Sequence, residues 1–194
     1  ITSHSVATSH FYDIFRYQIL DTNSYIEEIW AYGYWAIDRC ARIIKEGASF
    51  KEVTKGDLAE VEGCIAQAYA IKALCSFYLT NMFGLPYSEA NHTTAYSQVS
   101  RVSVEQNYSL ILDDITKAKE YYAKEGVENV GKQYMNTAAV AALEARVKLY
   151  MKNYEGAITA AQEAITLSGG TIVSTKEDYK NMYTTLAVST EDIF

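Results

Sequence analysis

One proline, Pro86, stands in a chain of 194 residues. Proline removes a backbone donor and clashes with the preceding helical turn, so a chain almost without it is free to run long helices. The length suits one domain or slightly more around a single core. A hydrophobic fraction of 49% and a charged fraction of 21% fit an ordinary globular protein. Tyrosine is over-represented, with 17 Tyr against 6 Phe. Its apolar body and wet tip suit half-exposed helix seams, and equally suit surfaces that stack on sugars. Composition alone leaves both uses open.

Hydrophobic period and capping signals predict six helices. The first runs from about Ser24 to Lys45, with Ile26, Ile29, Trp30, Gly33, Ile37, Cys40, Ala41 and Ile44 on one face. Ser24 with Glu27 reads as its capping box and Gly47 as its stop. The second, Leu58 to Phe83, opens on Asp57 with Glu60 and closes at Gly84. It is apolar on several sides, which marks a central helix. After a loop over 85–101, Ser103 with Gln106 opens a third helix whose buried stripe is Val104, Tyr108, Ile111, Leu112, Ile115 and Ala118. Gly126 and Gly131 mark the next break. Thr137 to Met151 and Tyr154 to Leu167 form a pair joined at Lys152-Asn153, the first crowded with alanine and the second with Tyr154, Ala157, Ile158, Ala161 and Ile165 on one face. A short sixth helix spans Thr175 to Tyr183, with Ser174 and Glu177 as its box. The spacing Tyr154, Ala157, Ala161, Ala164 resembles the second helix of a tetratricopeptide repeat. The predicted fold is all-α, a tetratricopeptide-like stack of antiparallel helix pairs.

Reactive chemistry is hard to find. The formal net charge of −7 and the lack of any Lys or Arg run argue against nucleic acid, which needs a basic patch. The longest apolar stretch, 64–79, is interrupted by Gln67 and Lys72 and is shorter than the roughly 20 residues of a bilayer span. His4, His10 and His92 lie in the N-terminal stretch and the long loop, away from Cys40, Cys64 and Cys75, so no metal site and no cofactor is expected. The three cysteines read as small buried hydrophobes. The acidic pairs Glu27-Glu28, Glu60/Glu62 and Asp113-Asp114 do not converge as an acid and base must, because neighbours on a helix point about 100° apart. Asp114, at the edge of its stripe, and Arg146, inside the alanine-rich helix, are expected to form a structural ion pair. Trp30 lies on the core stripe and reads as packing, whereas Trp35 is open to either use. The better ligand-contact candidates lie outside the predicted helix interiors: Tyr12, Tyr17, Tyr25, Tyr87 and Tyr96.

Four segments in order resemble the SusD/RagB family. Trp30 to Ala41, WAYGYWAIDRCA, is similar to the pattern W-x-x-x-Y-x-x-I-x-x-A/C. Glu62 to Pro86 ends in FYLTNMFGLP and resembles the family's long helix and its exit, with Lys72 where arginine is usual. Arg101 to Ala118 resembles R-x-S-V-E-x-x-Y-x-x-I-x-x-D-L-x-x-A, with Ile115 in place of leucine. Thr137 to Ala157 is similar to A-A…A-L-x-A-R-x-x-L-Y-x-x-x-Y-x-x-A. The closing Glu191-Asp192-Ile193-Phe194 looks like the family's E-x-I-F strand.

The resemblance implies a non-catalytic outer-membrane lipoprotein facing outward in a Bacteroidetes-type bacterium. Such a protein acts with a SusC-like TonB-dependent transporter and takes up oligosaccharide or peptide. It also implies that 1–194 is one N-terminal helical domain of a longer protein, with the signal and lipidated cysteine upstream and a C-terminal half downstream. Membrane attachment would then come only through that lipid anchor. The alternative is a tetratricopeptide adaptor that binds protein partners and no nutrient. A third reading, an (α/α)-barrel glycosidase fragment, requires convergent carboxylates.

Overall fold

The computed structural model describes residues 10–50, 55–84 and 101–184. Those residues form seven helices and no strand: α1 (His10–Phe15), α2 (Ser24–Ser49), α3 (Lys55–Phe83), α4 (Val104–Tyr122), α5 (Thr137–Tyr150), α6 (Tyr154–Ser168) and α7 (Lys176–Thr184). Successive helices from α2 to α6 pack on one another as antiparallel neighbours, the predicted stack of pairs. The short α1 falls in the stretch read as irregular and leans on α2.

Side-chain oxygens supplied by polar residues start the helices. Asn23 caps α2 by accepting from the Tyr25 N–H, so the cap lies one residue before the predicted Ser24. Ser103 caps α4 through the Gln106 N–H at 3.1 Å, as predicted. Asn136 and Asn153 cap α5 and α6. Each such cap contributes about 1 kcal/mol by satisfying a donor that the helix leaves open. Helix α3 begins at Lys55, so Asp57 lies in its first turn and Glu60 is not part of an opening box. Helix α7 starts after Thr175, whose hydroxyl accepts from the Asp178 N–H, in place of the predicted Ser174–Glu177 pairing.

Helix α3 is the axis of the fold, roughly 43 Å long at 1.5 Å per residue. One side carries Ala66, Ala70, Ala73 and Phe77 into a core shared with Ile111, Ile115 and Ala118 of α4 and Val140, Leu143 and Val147 of α5. Burying each large side chain there contributes about 1.5–3 kcal/mol. Another side meets α2, where Leu79 packs on Ile37. Burial on several sides explains why its sequence shows no single stripe. Val104, predicted on the α4 stripe, is exposed because it occupies the first helical position, at the end of the stack.

Two glycines set how closely α2 approaches α3. A Cβ on Gly33 would lie 2.8 Å from Leu79 Cδ1, and one on Gly47 would lie 2.8 Å from Ile65 Cδ1. Gly47 is therefore a packing residue and not the helix stop; α2 runs past it to Ser49. The stop of α3 is the predicted one: Gly84 takes φ +61, a backbone conformation that strains residues bearing a Cβ.

The α5–α6 pair corrects the expected face of its second helix. Ala157, Ala160 and Ala164 are buried, while Tyr154, Ile158 and Ile165 are exposed. Alanines on both helices permit a close seam, and that contact turns the larger side chains outward. Lys119 of α4 ties this end of the stack together, its ammonium 2.6 Å from Glu144 of α5 and 2.7 Å from Glu163 of α6.

The expected Asp114–Arg146 ion pair does not form. The antiparallel match of α3 with α4 brings Lys72 level with Asp114, its ammonium 3.1 Å from both carboxylate oxygens and both residues buried. Arg146 donates instead to the Tyr78 hydroxyl at 2.9 Å, with its guanidinium 5.4 Å from the centres of the Phe77 and Tyr78 rings. It stays exposed, where a cation on aromatic faces keeps its hydration.

Candidate functional site

Tyrosines divide into two sets once their surroundings are known. Tyr108 donates to Asn81 Oδ1 at 2.6 Å, and Tyr122 donates to the Met135 carbonyl at 2.7 Å. Both are buried core members whose hydroxyls have found partners. Burial pushes the Tyr122 hydroxyl up to about 12. Tyr69 and Tyr121 stack with ring centres 5.8 Å apart. These residues explain part of the tyrosine excess as seam packing.

The second set faces solvent on α2. Among the described residues this helix is covered by α3 on one side and touched by α1 near its start, and no other helix packs on its outer face. Tyr25, Ile29 and Tyr32 fall at offsets of 0, 4 and 7 on that face and are all exposed. Trp35 joins Tyr32 edge to face, ring centres 5.3 Å apart and planes at 86°. Tyr32 is 59% and Trp35 57% exposed, so each ring keeps a free surface while its partner restricts its motion. Trp30 differs. Its ring sits 5.0 Å from that of Tyr34 on the same helix and 5.3 Å from that of Phe83 on α3, so it packs in part. It is nonetheless 37% exposed, and Ile29 of the same predicted core stripe also faces solvent. Burial raises the Tyr34 hydroxyl, and the positive charge of Arg101 acts in the opposite direction.

Of the five tyrosines singled out from sequence, the described side chains include Tyr17 and Tyr25. Tyr25 lies in the first turn of α2, on the aromatic face. Tyr17 follows α1 on a turn at φ +57 and is 93% exposed. Tyr12 lies within α1, and its side chain is outside the described part of the structure, as are Tyr87 and Tyr96 entirely. The closing 191–194 segment also lies outside the described residues. Tyr32 was missed because its position inside a predicted helix concealed that its face is exposed.

Among the described residues, no group of three or more His, Cys, Asp and Glu could hold a metal ion. Glu144 of α5 and Glu163 of α6 are bridged by the Lys119 ammonium, and Lys148 also pairs with Glu144, so both carboxylates serve as ion-pair partners. No described helix is long and apolar enough to cross a membrane. Cys40 is buried and Cys75 partly so, but Cys64 is exposed, contrary to the reading of all three as core residues.

Stacked antiparallel hairpins with an open aromatic face define a helical-repeat scaffold of the SusD type. A SusD-like family model, described as "Starch-binding associating with outer membrane", matches residues 2–149, and the chain belongs to that family. Solved structures share the fold. A SusD superfamily protein from Bacteroides thetaiotaomicron superposes with a TM-score of 0.71 at 24% identity, over 88% of this chain and 39% of its own. A SusD-like carbohydrate binding protein from Bacteroides vulgatus gives 0.64 at 20% identity, over 78% and 33%. Surface glycan-binding protein A from Bacteroides fluxus gives 0.62 at 23% identity, over 85% and 34%. No curated protein matches the chain. The chain thus spans well under half the length of these solved relatives.

Proposed function

We propose that this chain is the helical part of a non-catalytic, outward-facing glycan-binding lipoprotein that delivers oligosaccharide to a SusC-like TonB-dependent outer-membrane transporter. The observation that carries the reading is family membership over 2–149, in a family described by starch binding and outer-membrane association. The aromatic face of α2 supports it: exposed, edge-locked rings are what a pyranose stacks on, and a rigid helical mount spares the ordering cost of binding. Tyr25, Tyr32 and Trp35 are the proposed contacts there, and Tyr17 extends them from the turn beyond α1. Tyr12, Tyr87 and Tyr96 remain proposed contacts on sequence grounds.

The test is a glycan-binding screen on the longest natural form of the chain, repeated on Tyr32→Ala/Trp35→Ala. Loss of binding of tenfold or more with the fold retained is the expected result. Binding undiminished in the double variant removes α2 from the ligand path. For the partnership, the full-length protein is expected to co-purify with a TonB-dependent transporter from outer membranes. Recovery of soluble protein partners alone would favour a tetratricopeptide adaptor.

A further inference from the structure

A second feature lies away from the α2 face. The connection between α4 and α5 folds back along the first half of α3 and leaves a cleft of about 520 Å³ between them. The approach is close: Gly126, at φ +84, would put a Cβ 3.4 Å from that of Ala59, and Gly63 would put one 3.6 Å from Val127. The volume lies within the roughly 300–1,000 Å³ of small-molecule sites. Tyr134 forms part of the wall and is 49% exposed, offering a ring. Around it stand two carboxylates, Glu60 and Glu128, and the amide of Gln67, which both donates and accepts. An aromatic face edged by acceptors and one amide matches a sugar ring, with its apolar C–H face and rim of hydroxyl donors.

Charge narrows the class. Among the described residues no lysine or arginine lines the cleft, and neither Glu60 nor Glu128 takes part in an ion pair. The nearby Lys124 is committed to Glu62 at 2.6 Å and lies over the Tyr121 ring. Uronate or sulfate groups entering the cleft would meet two carboxylates and, among the described residues, no lining lysine or arginine. Hydroxyls and ammonium groups would meet acceptors. We propose that the cleft between α3 and the α4–α5 connection is a separate saccharide subsite, seating a neutral or amine-bearing sugar on Tyr134 and excluding acidic glycans. The proposal rests on the glycan-binding reading above and adds to it a location and a charge preference.

Cys64 lines the same cleft and is exposed, so it reports on occupancy. Cys40 is buried and Cys75 partly so, which leaves Cys64 as the most accessible thiol. The experiment follows iodoacetamide alkylation of Cys64 in the 194-residue chain by peptide mass spectrometry. The probes are oligosaccharides from glucan, mannan, galactan and xylan, chitosan oligosaccharide, and oligogalacturonate. At least one neutral or amine-bearing probe is expected to slow Cys64 alkylation fivefold or more, with Cys75 unaffected. Oligogalacturonate is expected to leave the rate unchanged, and Tyr134→Ala, at a half-exposed site, to abolish the protection while the helical circular dichroism stays intact. Protection by oligogalacturonate equal to the best neutral probe, protection surviving Tyr134→Ala, or no protection by any probe overturns the subsite. Calorimetric binding of a probe without Cys64 protection defeats the subsite alone. No binding of any probe, by the longest natural form as well, defeats the glycan reading with it.

Discussion

Lys72 and Asp114 are the residues where a small chemical change has the largest structural consequence. Both are buried, and their mutual contact at 3.1 Å helps offset the cost of burying each charge. Lys72→Met is expected to destabilise by about 3–5 kcal/mol, since it takes the cation away from a buried carboxylate. Lys72→Met/Asp114→Leu is expected to recover most of that loss, as both charges are then gone. Urea denaturation of the two variants checks this, and a double variant no more stable than the single one contradicts it. Glu144 gives a pH signature. Burial acts to raise its carboxyl, but hydrogen bonds and charge from Lys119 and Lys148 outweigh it and hold the group below the ordinary 4.5. A carboxyl depressed on folding stabilises the fold above its unfolded value, and that stabilisation is lost as pH falls through the folded value. Glu144→Gln is therefore expected to be less stable than the parent at pH 7, with the gap closing as the pH falls below the ordinary 4.5 and through the lower folded value. Thermal melts across that range decide it, and a gap that persists at low pH is the contrary result.

At the scale of elements, helix spacing is governed by small residues. Gly33 and Gly47 let α2 lie against Leu79 and Ile65 of α3 with no room for a side chain. Gly33→Val is expected to cost about 1–3 kcal/mol, because the buried Leu79 must leave its place in a packed seam. A denaturation midpoint unchanged by this substitution would show that α2 and α3 have slack between them. In the α5–α6 pair the alanine seam decides which residues face outward, and so exposes Tyr154, Ile158 and Ile165. The helical period predicted that one face of α6 is apolar. Choosing between the alanine face and the isoleucine face depended on how close α5 comes, a quantity no single-helix pattern contains.

For the whole molecule, the frame and the proposed binding surfaces are separable. Surface substitutions away from caps and buried networks change stability by about 0.5 kcal/mol or less. Tyr32→Ala/Trp35→Ala is accordingly expected to lower glycan binding while shifting the melting midpoint by only a few degrees, measured on one sample by calorimetry and circular dichroism. Collapse of the fold in that variant would place both rings among the structural residues.

Local order was legible from the sequence because helical period, capping oxygens and a near absence of proline are local properties. The α4 stripe from Tyr108 to Ala118, the Ser103 cap and the Gly84 stop all follow from residues within a turn or two of each other. Decisions between helices were not legible. Asp114 pairs with Lys72, 42 positions away in sequence, because an antiparallel register makes them level; Arg146 was as plausible a cation until that register was known. Likewise Gly47 looked like a terminator and serves as a contact, and Tyr32 looked like ordinary helix and faces solvent. Which side of a helix is covered, and by what, depends on its neighbours, so partners, exposed rings and clefts came only with the tertiary structure.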